Sequence, residues 1–458
     1  MSRGEALARR LVEICGKENV VSEGPAMAEY SLDMADYQGE PRVVVKPASE
    51  GEVARIVALA NELRVPIVPR GAGSSVTGAS VLKGAICVDM RRMDKVIRVD
   101  TVNWLARAQA GVTLEDLNEA LKEHGFFFPP DPASSSFCTV GGAIAESSGG
   151  LRCVRYGTMK DWVVAVRLVL PNGSSANFGE PVSKNRAGYD LTHLIIGSEG
   201  TLGIVTEAYL KIIPITQEKS KRFLLELDSW EAASRLISEL RSNKIMPHIF
   251  EFLDRETVQA VNQKLDMDLE EVEATLIVDI GEESISDAIE IFKRCGARKI
   301  RMAKDEEEAE TFYQVRAMAY LAIRGLGKAV QVEDVSVPID RLGEFLLKVK
   351  EIAKKHGLRI PVNGHAGDGN VHPVILYDAD DEGSKRAATE AFEDLCRYAI
   401  GIGGSISGEH GIGVQKAGLL REQLLSHGGK EALRLMKEIK RLFDPNGIMN
   451  PGKYVEAA

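Results

Sequence analysis

A chain of 458 residues is too long for one ordinary hydrophobic core, so two or three packed units are expected. Hydrophobic residues make up 44% and charged residues 27%, the balance of a folded globular protein rather than a disordered or fibrous one. A net charge of -10 argues against a nucleic-acid partner, which needs a basic face, and leaves room for a local basic pocket.

The first 40 residues read as helical and irregular, with no apolar signal core and no run near the roughly 18 apolar residues of a membrane span. A cytoplasmic protein without a transmembrane segment is expected, one able to dock peripherally on a membrane. Val43-Val44-Val45 is a buried-strand run, and Ser49 with Glu52 forms a capping box opening a helix to about Arg64. Val65 to Pro69 is a second strand that runs into a glycine-rich loop, Arg70-Gly71-Ala72-Gly73-Ser74-Ser75-Val76-Thr77-Gly78. Further strands fit Ala85–Asp89, Val96–Asp100 and Ala106–Ala110, followed by a helix starting at Thr113. Residues 129–206 are rich in Gly, Ser and Pro, with apolar strands such as Val163–Leu170 between them. That mixture fits ordered loops whose backbone approaches a ligand better than it fits low complexity.

Near Pro214 the pattern changes. Arg222–Leu227, Trp230–Arg241, His248–Leu253, Thr275–Ile280 and Ile285–Cys295 show strand and helix patterns interleaved. This predicts a βαβ-rich, ferredoxin-like unit, an antiparallel sheet with helices on one face. An acidic helix starts at Asp305, its charge run a solvated face. Residues 416–458 are helical and end in Asn450-Pro451-Gly452-Lys453. The six cysteines form no CxxC spacing, so they read as reduced packing residues rather than a zinc ribbon, an iron–sulfur site or a disulfide framework.

A strand that ends in glycines is a way to hold a phosphate, because backbone N–H groups can close on the anion. In the 70–78 loop, hydroxyls of Ser74, Ser75 and Thr77 add donors. The triphosphatase loop is excluded by Ala79-Ser80 where Lys-Ser or Lys-Thr is needed. The dinucleotide fingerprint G-x-G-x-x-G fails at Val76. Read alone, the loop is as well explained by a structural turn. It is followed, however, by Pro129-Pro130-Asp131-Pro132-Ala133-Ser134, Thr139-Val140-Gly141-Gly142, Glu146-Ser147-Ser148-Gly149-Gly150, Arg155-Tyr156-Gly157 and Ile196–Val205.

In the order and spacing of these stretches the chain resembles, over essentially its whole length, the flavoprotein family typified by vanillyl-alcohol oxidase and p-cresol methylhydroxylase. The resemblance implies an α+β fold: a two-part FAD-binding domain over 1–216, a ferredoxin-like substrate or cap domain over 217–415, and a helical segment over 416–458 that returns to the flavin. It implies that Pro69, Arg70, Gly71, Ala72, Gly73, Ser74, Ser75 and Gly78 hold the pyrophosphate of FAD. Pro130, Thr139, Gly142, Ser148, Gly149 and Val205 would line the remainder, and Asn450, with Lys453, would touch the flavin. Some members attach FAD through a histidine in the first loop; the matching residue here is Ser74, so FAD is expected to be non-covalent.

The later half carries Asn363-Gly364-His365-Ala366-Gly367-Asp368-Gly369-Asn370-Val371-His372 and Ser407-Gly408-Glu409-His410-Gly411. Gly367-Asp368-Gly369 is a turn signal that can fold His365 back toward His372. A lone histidine is more often a packed turn residue, but two about one turn, with Glu-His in a second glycine-rich loop, suit a Zn, Mn or Fe(II) site with open positions. These segments are similar to those of the D-2-hydroxy-acid dehydrogenase branch of the same family, which includes D-lactate dehydrogenase, the glycolate oxidase catalytic subunit and D-2-hydroxyglutarate dehydrogenase. That resemblance implies that His365, His372 and Glu409 bind the metal, that His410 is the general base, and that Arg316 binds the substrate carboxylate. Hydride would pass from C2 to flavin N5. Val332 aligns where 2-hydroxyglutarate enzymes carry a lysine, which favours a monocarboxylate such as D-lactate or glycolate. Electrons would leave to an external acceptor: a quinone, an electron-transfer flavoprotein, a cytochrome or an iron–sulfur subunit. The protein is expected to be a homodimer or part of a complex. Two other readings stand beside this one: a non-catalytic FAD-binding subunit, and an ether-lipid synthase of the same fold.

Overall fold

A computed structural model describes residues 3–34, 37–216 and 219–454. The chain forms two compact units, one of residues 1–150, 157–215 and 409–458, the other of 151–156 and 216–408. The last change of unit falls between Gly408 and Glu409. Among the described residues no helix is long and apolar enough to cross a membrane.

The first unit has two larger sheets besides the short pair Phe126–Phe127 with Ile213–Pro214. In one, Val43–Val45, Ile86–Asp89 and Ile67–Arg70 pair in parallel, with Val20–Val21 antiparallel on the outer edge. All three residues of Val43–Val45 are buried, as an uninterrupted apolar run in a covered sheet should be. The helix Glu50–Leu63 starts at Ser49, whose hydroxyl accepts from the Glu52 amide, while the Glu52 carboxylate accepts from Ala48 N at 2.8 Å. The free edge of this sheet is met by the returning C-terminal segment. Ile67 N donates to Ile448 O at 2.7 Å, and Asn450 N donates to Ile67 O at 2.8 Å.

The other sheet is antiparallel, in the order Val96–Asp100, Leu105–Gln109, Ile204–Lys211, Val163–Val169, Ser175–Gly179. Its core joins Ala106, Ala108 and Val166 to Leu114, Leu117 and Leu121 of the helix Leu114–Lys122, whose cap is Thr113, and to Val140 and Ile144 of the helix Val140–Glu146. Thr139, which caps this second helix, lies against Gly71 of the first loop, so a tertiary contact sets the helix start beside that loop.

The second unit is one large antiparallel sheet. The strand order is Lys299–Met302, Ser220–Leu227, Ala274–Gly281, Ile249–Asp254, Val362–His365, Asn370–Tyr377, Ala329–Val332, and Val335–Ser336 pairs with residues 370–371. The antiparallel sheet agrees with the sequence expectation, but helices cover both faces instead of one. Leu224, Leu253 and Ile277 pack with Val258 and Val261 of the helix Arg255–Leu265 and with Phe312 and Val315 of the helix Glu306–Ala317. Phe223 and Phe252 point the other way, because neighbours on a strand alternate faces. They meet Phe292 and Trp230 edge-on at 5.5 and 5.6 Å between ring centres. Every residue of Ile249–Asp254 and Ala274–Gly281 is buried in consequence.

Candidate active site

In the first unit a cleft opens beyond the carboxyl end of Ile67–Arg70. Residues Pro69 through Ser75 line it, and so do Thr139, Gly142, Ser148, Glu146, Glu199 and Val205. Two of the glycines are needed where they stand. A Cβ on Gly71 would strike the Thr139 hydroxyl, which caps the helix Val140–Glu146 by accepting from Gly142 N at 3.2 Å. Gly73 has φ 75°, and a Cβ there would strike the Arg70 guanidinium.

Arg70 differs from what its place in the loop suggests. Its side chain turns into the protein, donating to the carbonyls of Ser80, Glu29 and Leu32 at 3.2, 3.1 and 2.9 Å. It braces the loop from behind, and the backbone of 70–75 faces the cleft. Gly78, Pro130, Gly149 and Asn450 are not among the lining residues. Gly78 N donates to Asp33 Oδ2 at 2.7 Å. Asn450 is buried and ties the C-terminal return down, its Nδ2 donating to Ala79 O and Glu199 O at 2.9 and 2.8 Å. Lys453 donates to Val81 O at 2.8 Å. Two oxygens shut off from solvent, Glu146 Oε2 and Asn450 Oδ1, have no hydrogen-bond partner among the described residues. A buried polar atom without a partner calls for an explanation, and a bound group is one. A glycine-lined loop, a capped helix start and the Glu146 carboxyl in the cleft wall together suit an extended ligand with a phosphate part and a polar ring.

Glu199 was quoted in the sequence motif without a role. Its backbone is left-handed (φ 51°) and its carboxylate accepts from Ile412 N at 2.6 Å and Gly413 N at 2.8 Å. The segment His410-Gly411-Ile412-Gly413 is thereby fixed to the first unit. Burial pushes Glu199 up to about 7, against the two amides, which favour its charged form. Glu146 is also held well above the ordinary carboxylate range, first by burial and then by the Glu199 charge. Glu409 and His410 start this segment, with His410 Nε2 3.9 Å from Glu409 Oε1.

In the second unit the Gly367-Asp368-Gly369 turn joins Val362–His365 to Asn370–Tyr377, with His365 opposite Asn370 and His372 opposite Asn363. The two buried imidazoles stand edge to face, 5.2 Å between centres. Glu251, fully buried on Ile249–Asp254, is the cross-strand partner of His365. His365 Nδ1 donates to its Oε1 and Oε2 at 2.7 and 2.9 Å, and Arg316 Nε donates to Oε2 at 2.7 Å. A carboxylate accepts only, so His365 carries a proton on Nδ1, and Nε2 is the nitrogen that could serve a metal. That is the usual support for a metal-binding imidazole. The terminal amino groups of Arg316 make no hydrogen bond among the described residues. Asp334 Oδ1 accepts from Asn370 Nδ2 at 2.7 Å, and its Oδ2 accepts from Ser407 Oγ at 2.8 Å and Gly408 N at 2.9 Å. Its Oδ1 lies 3.7 Å from His372 Nδ1.

Glu251, Asp334 and Glu199 were missed as site residues by sequence reasoning. The only signal for the first two was an acid inside an apolar strand-like run, Ile249-Phe250-Glu251-Phe252 and Val332-Glu333-Asp334-Val335.

Residues 41–179 match the family model described as FAD binding domain, and residues 216–454 match the one described as FAD linked oxidases, C-terminal domain. The glycolate oxidase subunit GlcD of Bacillus subtilis (strain 168) is 36% identical over 97% of this chain and 95% of its own. A D-lactate dehydrogenase of Anaerostipes hadrus is 34% identical over 92% of this chain and 91% of its own. Among solved structures, p-cresol methylhydroxylase with substrate bound superposes with a TM-score of 0.78 at 18% identity, over 100% of this chain and 98% of the other.

Proposed function

The chain belongs to the FAD-linked oxidases and is an FAD-linked oxidoreductase of the D-lactate dehydrogenase and glycolate oxidase kind, and we propose that it oxidises a small D-2-hydroxy monocarboxylate to the 2-oxo acid with a divalent metal as second cofactor. The observation that carries this reading is the cluster in the second unit, where a guanidinium with open amino groups is fixed to the same carboxylate as one of two paired imidazoles.

The backbone of 70–75 holds the pyrophosphate of FAD, and with serine at position 74 the cofactor is bound without a covalent link. Arg316 receives the substrate carboxylate through its terminal amino groups, a charge-assisted pairing that orients C1 and C2. His365, His372 and Glu409, the residue after Gly408, hold the metal; two nitrogens and one carboxylate oxygen suit Zn, Mn or Fe(II) and leave positions open. When bound, the metal would lower the pKa of the substrate hydroxyl and FAD would supply the hydride acceptor. His410 takes the hydroxyl proton as neutral imidazole, a role worth about 10²–10⁴-fold in rate. Two electrons then leave for an external acceptor, a quinone, electron-transfer flavoprotein, cytochrome or iron–sulfur partner.

Anaerobic mixing of the FAD-loaded protein with D- and L-lactate, glycolate and D-2-hydroxyglutarate, with and without prior chelation, tests this. Flavin bleaching by D-lactate or glycolate that chelation abolishes is expected. Bleaching by L-lactate alone would overturn the stereochemistry, undiminished bleaching after metal removal would overturn the metal, and bleaching by D-2-hydroxyglutarate alone would overturn the monocarboxylate.

A further inference from the structure

Glu251 is the only side chain among the described residues that hydrogen-bonds both to a proposed metal ligand and to the proposed substrate arginine. It is fully buried at the middle of the second unit's sheet. Its backbone register opposite His365 is set by strand pairing, so the carboxylate and the imidazole cannot drift apart without breaking the ladder. Arg316 comes from another element, the last turn of Glu306–Ala317, and reaches the same carboxylate with Nε. A buried carboxylate needs a compensating cation and several donors to remain charged, and these two partners supply them.

We propose that Glu251 is a positioning residue that fixes the metal-binding imidazole and the carboxylate-binding guanidinium as one rigid piece, so that metal and substrate carboxylate are aligned by a single side chain. This rests on the function proposed above and adds to it a coupling between two subsites. The division of labour within the carboxylate follows from the contacts. Both oxygens take the Nδ1–H of His365, which commits the imidazole to one tautomer and one ring plane. Oε2 also takes the Arg316 Nε–H, and both terminal amino groups are left without a hydrogen bond among the described residues. Glutamine at this position is nearly isosteric, but with its oxygen where Oε2 takes the Arg316 Nε–H its NH₂ stands against His365 Nδ1, which removes the charge and no longer enforces a proton on that nitrogen.

The test uses FAD-loaded wild type, Glu251→Gln, His365→Ala and Arg316→Ala. Zn²⁺ affinity is measured by competition with a chromophoric chelator, and the D-lactate concentration dependence by anaerobic flavin reduction. Loss of a supporting carboxylate lowers metal affinity on the order of 10–100-fold. Glu251→Gln is expected to weaken Zn²⁺ by that range and also to raise the half-saturating D-lactate concentration at saturating Zn²⁺, at least about tenfold. His365→Ala should lose Zn²⁺ chiefly, and Arg316→Ala should lose D-lactate chiefly. Glu251→Asp, which keeps the charge but shortens the reach, should recover part of both. Retained flavin absorbance and a cooperative melt establish that each variant is folded. Zn²⁺ and D-lactate affinities both within threefold of wild type in Glu251→Gln would overturn the proposal, and so would a loss of one alone. If His365→Ala and Arg316→Ala leave both affinities intact, the metal and substrate assignments fail instead. The Zn²⁺ arm reads Glu251 whether or not D-lactate is the substrate.

Discussion

At the scale of single residues, the chemistry divides between side chains that meet the substrate and side chains that hold them. His410 belongs to the first group in the function proposed here. The loop that carries it is held through the amides of Ile412 and Gly413. His410→Ala should therefore leave FAD bound and slow D-lactate-driven flavin reduction by at least about a hundredfold, the low end for a lost general base. Stopped-flow absorbance of the flavin measures it, and a rate equal to wild type would remove His410 from the role. Glu199 belongs to the second group. A non-glycine residue in the left-handed region is disfavoured, and this one is kept there by its amide bond to Ala145 O and by the two amides its carboxylate accepts.

At the scale of elements, helix caps show how a local rule and a burial cost meet in one residue. Asp254 ends a strand and caps the helix Arg255–Leu265, accepting from Thr257 N at 2.8 Å. Burial pushes its pKa up to about 6 from 3.8, and the bonds from Thr257 offset only part of this. The folded state then binds the proton more tightly than the unfolded state does. Stability from this group is greatest below 3.8 and falls as pH rises through about 6. Asn keeps the cap and removes the charge. Asp254→Asn should melt higher than wild type at pH 7.5, with the advantage shrinking as the pH falls through 6 toward 4. A difference that does not vary with pH would refute the buried charge as its cause.

The same elements show what was legible beforehand. Ser49, Thr113 and Asp305 opened helices where the sequence put them, because a cap and its partner lie within three residues. The Gly367-Asp368-Gly369 turn predicted the hairpin that pairs His365 with His372 for the same reason. Glu251, His365 and Arg316 are 114 and 65 residues apart along the chain, so their meeting depends on strand order that no local pattern encodes. Arg70 lines the cleft as the loop's place suggests, but that its side chain is taken by three backbone carbonyls was not legible from its own neighbourhood.

At the scale of the whole molecule, the cleft and the imidazole pair draw on different cores, while Glu409, the third ligand proposed for the metal, belongs to the first unit. The residues that line the cleft all belong to the first unit. The imidazole pair and its carboxylates Glu251 and Asp334 belong to the second, whose sheet has its own apolar core around Leu224, Leu253 and Phe312. Damage to one site should then spare the other. Gly73→Ala forces a Cβ toward the Arg70 guanidinium at a positive φ, a change confined to the loop in the first unit. It should lower the flavin-to-protein absorbance ratio of the purified chain while Zn²⁺ binding, read by chelator competition, stays within about threefold of wild type. His365→Ala should do the reverse, with FAD retained in full and Zn²⁺ weakened at least about tenfold, the lower bound for loss of support being exceeded when the ligand itself is removed. If Gly73→Ala lost the metal as well as the flavin, the metal ligands would depend on an intact flavin cleft, and the imidazole pair with its two carboxylates would not be a self-standing half of the site.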